Sequence, residues 1–128
     1  MNIMITEEFN AGKYWGLSTT IDLVGCDKEK IQDPDWLRDW VLDLVEFLDM
    51  EPHGEPVMDI FGNEEHLKGY TVMQMIKTSS ITAHFCNATG DAYIDVFSCK
   101  GYEPDQVAEY LVATLDADNY KMSWQFRG

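Results

Sequence analysis

With 128 residues, 45% of them hydrophobic and 25% charged, the chain is sized for one domain around one core, and its composition excludes a low-complexity or disordered class. A formal net charge of −14 repels phosphate backbones, so nucleic acid is not an expected partner, while a cationic small molecule is drawn toward any cleft. The opening "MNIMITEEFN" lacks the basic start and long apolar core of an export signal, and no apolar run is long enough to span a bilayer, so a cytoplasmic protein without a membrane partner is expected.

Residues 1–13 read as a polar lead-in, and the remaining 14–128 as the domain proper. "YWGLSTTIDLVGCD" (14–27) is rich in strand formers and closes on Gly25 and Asp27, a turn signal. Asp33-Pro34 then opens a helix, with Asp33 as N-cap and Pro34 at the first helical position. Trp36, Trp40, Val41, Leu44, Val45 and Leu48 recur at helical spacing while Asp39, Asp43, Glu46 and Asp49 alternate outward. "EPHGEP" (51–56) holds two prolines and a glycine and must be a turn. "VMDIF" (57–61), "YTVMQMI" (70–76), "SITAHF" (80–85) and "AYIDVFSC" (92–99) read as strands, separated by the loop "GNEEHLKG" and the turn "NATGD". A second helix begins at Pro104 with Val107, Ala108, Leu111 and Leu115 on one face, and "YKMSWQF" (120–126) closes the chain as a strand. The order β-α-β-β-β-β-α-β predicts an α+β fold: a two-layer sandwich with a mainly antiparallel sheet and two helices on one face. The other sheet face is left uncovered, which predicts a solvated face or a homodimer.

Cys26, Cys86 and Cys99 form no CxxC pair, a spacing that suits neither a zinc site nor a disulfide framework, so reduced thiols are expected. His53, His66 and His84 are scattered, and His66 beside Glu64 and Glu65 reads as a solvated loop cluster. No metal site is expected.

The run "KTSSITAHF" (77–85) has four hydroxyl residues within five positions and a histidine two residues later. Taken singly, such serines satisfy local backbone groups, a lone histidine is a hydrogen-bonded core residue, and a lone cysteine is a small hydrophobe. Taken in order, "TSSITAH", then 14 residues, then the cysteine of "DVFSC" resembles the prokaryotic-type S-adenosylmethionine decarboxylases. That family carries Glu-Ser-His-Leu-x-x-His followed at this interval by Asp-(Leu/Val)-Phe-Thr-Cys-Gly. "GLSTTIDLVGCD" is similar to its first strand, "KGYTV" falls where it has Gly-Val-Ser-Gly, and the terminal "FRG" is similar to its closing Arg-Gly.

The resemblance implies a pyruvoyl cofactor made from the chain itself, since decarboxylating an amino acid needs an electron sink. Ser79 would attack the carbonyl of Thr78, and the chain would be cut between Thr78 and Ser79. His84 would take the α-proton in the elimination that follows, assisted by the Thr71 hydroxyl. The substrate amine would then condense with the pyruvoyl carbonyl, and Cys99 would return a proton to the α-carbon. Phe61 would offer an aromatic face to a sulfonium cation. S-adenosylmethionine is the implied substrate and the aminopropyl donor for polyamine (spermidine) synthesis the implied product, with a homodimer as the assembly.

The pattern departs from the family at five places. Thr78 stands for its glutamate, Ser80 for its following histidine, Ala88 for a ligand-contacting glutamate and Cys86 for a tryptophan, and the loop before Gly69 lacks its proline. Two alternatives therefore stay open: another cationic amino acid such as ornithine or arginine as substrate, or an uncleaved, non-enzymatic relative. Ser79 and His84 are five apart, so on a regular strand they point to opposite faces. Their cooperation calls for irregular backbone at Thr78–Ser80.

Overall fold

The computed structural model describes residues 4–128. Its elements run α1 (Ile5–Gly12), β1 (Gly16–Val24), α2 (Lys28–Ile31), α3 (Pro34–Phe47), β2 (Val57–Phe61), β3 (Gly69–Ile76), β4 (Ser79–Phe85), β5 (Ala92–Ser98), α4 (Pro104–Leu115) and β6 (Asn119–Arg127). The strands form one six-stranded sheet in the order β2-β3-β4-β5-β1-β6, with every neighbouring pair antiparallel. This is the expected α+β sandwich. The part of the lead-in at positions 1–3 lies outside the described residues.

Local chemistry sets the helix boundaries. Asp33 accepts a hydrogen bond from the Trp36 N–H and Pro34 occupies the first turn of α3, as its sequence predicts. One stripe of α3 is buried: Leu37, Trp40, Val41, Leu44 and Val45. Trp36, expected in the core, only packs against its margin, where the Lys30 ammonium lies 5.2 Å from its ring centroid. In α4, Val107, Ala108, Leu111 and Leu115 are buried. Alternate strand residues complete this core, among them Leu17, Ile21 and Leu23 of β1, Val72 and Ile76 of β3, Ile81 and Ala83 of β4, and Ile94 and Val96 of β5. The helices therefore cover one sheet face.

The lead-in is more structured than its polar sequence suggests. Residues 5–12 form a helix that buries Phe9, and its N-terminus is held by a residue almost a hundred positions away. The Glu103 carboxylate accepts from the backbone N–H groups of Ile5 (3.0 Å) and Thr6 (2.8 Å) and from the Thr6 hydroxyl. A carboxylate there satisfies free helical donors and complements the positive end of the helix dipole.

One buried polar anchor ties the loop before α4 to the sheet. The Tyr102 phenol is 2.8 Å from Thr19 Oγ1 and donates to the Val96 carbonyl at 2.9 Å, and burial pushes its ionisation well above the usual tyrosine range. Tyr102→Phe strands the Thr19 hydroxyl and the carbonyl, so we expect a loss of about 1–2 kcal/mol in urea unfolding. An unchanged midpoint would refute this anchoring role.

Among the described residues, no helix covers the second sheet face. Register puts Val57, Asp59 and Phe61 of β2, Thr71, Met73 and Met75 of β3, Ser80, Thr82 and His84 of β4, and Tyr93, Asp95 and Phe97 of β5 on it. Val57, Phe61, Met73, Met75 and Tyr93 are all exposed there, an apolar area larger than scattered surface residues would give.

Candidate active site

The hydroxyl run sits at a hairpin. Ile76 of β3 pairs with Ser79 of β4, leaving Lys77 and Thr78 as a two-residue turn. Two-residue hairpins favour turns with positive φ at their loop positions, because those match the strand twist. Here neither Lys77 nor Thr78 has one; the positive φ falls on Ser79, at 157°, on the margin of extended backbone. The irregularity expected at residues 78–80 is thus a turn at Lys77–Thr78, and Ser80 is already within the regular strand.

Three strands contribute to this end of the sheet. Ser79 pairs with Ile76 on one side and Ser98 on the other. The Thr78 carbonyl accepts from the Cys99 N–H at 2.8 Å, and Ser98 Oγ donates to Thr78 Oγ1 at 2.9 Å. Cys99 is exposed just past the end of β5, whereas Cys26 is buried. Burial and the Asp91 carboxylate push the Cys26 thiol up to about 11, which keeps it protonated and unreactive at neutral pH.

A second group lies at the opposite end of the same strands. Thr71 and His84 are directly paired between β3 and β4, and Thr71 Oγ1 lies 3.0 Å from His84 Nδ1. His84 also pairs with Tyr93, and Tyr93 with Asp22 of β1. Burial, then the Asp91 carboxylate, raises the Tyr93 phenol's pKa. Beside it opens a cleft of about 390 Å³ lined by Asp22, Asp91, Tyr93, Tyr120 and Lys121. Phe61 pairs with Gly69 and shares the open face with Thr71.

The structure thus brings Thr71 to His84, and Thr78 and Ser79 to Cys99, but it does not bring these two groups together. Five residues of extended chain separate Ser79 from His84, about 16 Å at the strand rise. His84 lies on the open face with Ser80 and Thr82, whereas Ser79 alternates with the buried Ile81 and Ala83. Sequence reasoning missed two participants in this geometry. Ser98 looked like a mere flank of Cys99, although strand alternation from Ile94 and Val96 puts it on the buried face; Tyr93 could have been found by the same alternation, on the open one.

Against this geometry stand the comparisons with known proteins. Residues 17–128 match the family model described as S-adenosylmethionine decarboxylase. The chain belongs to the S-adenosylmethionine decarboxylase family. It is similar to the S-adenosylmethionine decarboxylase proenzyme of Clostridium botulinum, with 28% identity over 106 residues, 80% of this chain and 85% of that protein. The proenzyme of Synechococcus is 25% identical over 108 residues, 84% and 80% of the two chains. That of Bacillus velezensis is 27% identical over 97 residues, 76% and 73%. Among solved structures, the adenosylmethionine decarboxylase of Aquifex aeolicus superposes with a TM-score of 0.76 at 22% identity, covering 90% of this chain and 92% of that one. That last likeness supports the shared sandwich. The match spans β1 from Leu17 to the end of β6 and so takes in every site residue named above, while α1 lies outside it.

Proposed function

We propose that this chain is a proenzyme that cuts itself between Thr78 and Ser79, converts Ser79 to a pyruvoyl group, and decarboxylates S-adenosylmethionine to an aminopropyl donor for polyamine synthesis. One observation carries the reading: the hydroxyl and imidazole that such chemistry requires lie on β4 and the thiol at the end of the neighbouring β5, with a backbone donor already on the carbonyl to be attacked. The surroundings of Ser79 fit a group formed in place, since Ser79 adjoins the turn and its neighbours at Thr78, Ser98 and Cys99 are hydrogen-bonding groups.

A pyruvoyl carbonyl supplies the electron sink that a decarboxylation needs. This chain's own residues do the rest. Thr71, hydrogen-bonded to His84 Nδ1, fixes the imidazole's orientation and leaves Nε2 to take the proton. Cys99 delivers a proton to the substrate's α-carbon. The cleft beside Tyr93 carries the carboxylates of Asp22 and Asp91 against the single ammonium of Lys121, which lies 3.8 Å from Asp22, and Phe61 adds an aromatic face on the same side of the sheet.

The 16 Å between Ser79 and His84 is bridged by a second copy. The apolar residues of the open face give two copies a surface to meet on, and the Thr71–His84 pair of one chain then serves the hairpin end that carries Ser79 in the other. The homodimer is therefore part of the proposed site.

A second reading keeps the pyruvoyl chemistry but changes the substrate. Ala88 stands where the family's ligand-contacting glutamate falls, and its backbone carbonyl accepts from the Lys28 ammonium at 2.8 Å. Losing a polar contact relaxes selectivity for the part of the substrate it held. Release of labelled carbon dioxide from carboxyl-labelled S-adenosylmethionine, ornithine and arginine decides between the two. Cys99→Ala should still be cut but release carbon dioxide about 10²–10⁴-fold more slowly. An unimpaired rate would remove Cys99 from its role, and failure of any labelled substrate to react in a fully cut chain would overturn the decarboxylase reading.

A further inference from the structure

Ser98 is fully buried on the last rung of β5, opposite Ser79. Its Oγ accepts from the Lys100 N–H at 2.9 Å, which leaves its own hydrogen to donate to Thr78 Oγ1 at 2.9 Å. The intervening Cys99 N–H takes the Thr78 carbonyl at 2.8 Å. Two consecutive residues, Ser98 and Cys99, thus grip the side chain and the carbonyl oxygen of residue 78, and the Lys100 N–H in turn holds the Ser98 hydroxyl. Thr78 itself is a departure from the family pattern, and the buried Ser98 hydroxyl is the hydrogen-bond partner of its side chain.

We propose that Ser98 is a positioning residue for self-cleavage. Acting through Thr78 Oγ1, it holds the Thr78 carbonyl on the Cys99 N–H, so the oxygen that gains negative charge during attack already has a donor. The inference rests on the self-cleavage reading given above. In the assisted step, Ser79 Oγ bonds to the Thr78 carbonyl carbon, the Thr78–Ser79 C–N bond breaks, and the hydroxyl proton ends on the Ser79 nitrogen, giving an ester and an amine. Loss of the Ser79 α-proton then expels the Thr78 carboxylate from Cβ. The dehydroalanine that remains becomes an imine, and one water converts it to the pyruvoyl carbonyl with release of ammonia.

The test follows fragment 79–128 by denaturing mass spectrometry, with and without hydroxylamine, which cleaves the ester as soon as it forms. Ser98→Ala should slow the cut about 10-fold or more, with and without hydroxylamine, because the ester itself is delayed. Ser98→Thr should restore the rate to within about 3-fold, since it keeps the hydroxyl. A block at the later elimination step behaves differently: the ester accumulates and hydroxylamine rescues the cut. Urea midpoints accompany each variant. Should Ser98→Ala fail to fold, Thr78→Val against Thr78→Ser decides from the other end of the hydrogen bond, with slowing expected only for the valine. A cut as fast in Ser98→Ala, or in Thr78→Val, as in the parent overturns the inference while leaving self-cleavage standing. A parent that stays whole under both conditions overturns self-cleavage, and this inference with it.

Discussion

A Ser79→Ala chain will keep its full length through prolonged incubation, while the parental chain divides into 1–78 and 79–128. The expectation follows from where the hydroxyl lies. Ser79 directly follows the turn residue whose carbonyl is held at 2.8 Å by the Cys99 N–H, and alanine has no oxygen to form the ester. The effect is all-or-none, because without the nucleophile there is no alternative covalent route. Denaturing mass spectrometry reads it directly, and Ser80→Ala is the control that should still divide. The reverse result, with Ser79→Ala cut and Ser80→Ala whole, would move the nucleophile by one residue, onto the open face that Ser80 shares with His84.

The second large effect concerns where the imidazole comes from. His84→Ala alone should slow cutting by about 10²–10⁴-fold, the usual contribution of a positioned general base. Co-expressed with Ser79→Ala under distinguishable tags, it should regain cutting, and only on the His84→Ala chain. Each mixed dimer then holds one intact Ser79 and one intact His84 on different subunits. About half of the His84→Ala chains should divide, the share that statistical pairing puts in mixed dimers. If the mixture stays as slow as His84→Ala alone, the imidazole works within its own chain or not at all, and the shared site is wrong. Purifying the doubly tagged species before the measurement separates failure to pair from failure to cut.

Much of the fold is legible in the sequence because its determinants are local. Asp33-Pro34 and Pro104 start α3 and α4 where first-turn prolines should, and period-two alternation marks the strands on either side of the "NATGD" turn. What escapes is non-local. Helix α1 is eight residues long and acidic in its first turn, too short to stand alone. It is fixed by Glu103 and by burying Phe9, neither of which its own sequence announces. The strand order, with β1 inserted between β5 and β6, likewise depends on pairings that no local pattern encodes.

The site divides the same way. Its residue types and intervals were readable as short blocks at Thr71, Thr78-Ser79, His84 and Cys99. Their separation into two groups was foreshadowed by strand parity, since five positions cannot share a face. Strand alternation places Ser98 on the buried face but does not say what its hydroxyl meets there. The β4–β5 pairing that sets Ser98 opposite Ser79 brings it to Thr78.

The strand order has a further consequence for a chain divided after Thr78. The leading piece would hold β1, β2 and β3, and the trailing piece β4, β5 and β6. Because β1 lies between β5 and β6 while β3 borders β4, the two pieces are interleaved like the fingers of clasped hands. Pulling them apart would mean unzipping three separate seams of backbone hydrogen bonds as well as lifting α1 off Glu103. Maturation would therefore leave size, shape and sheet content unaltered in native solution, with the break appearing only when denaturant releases the clasp.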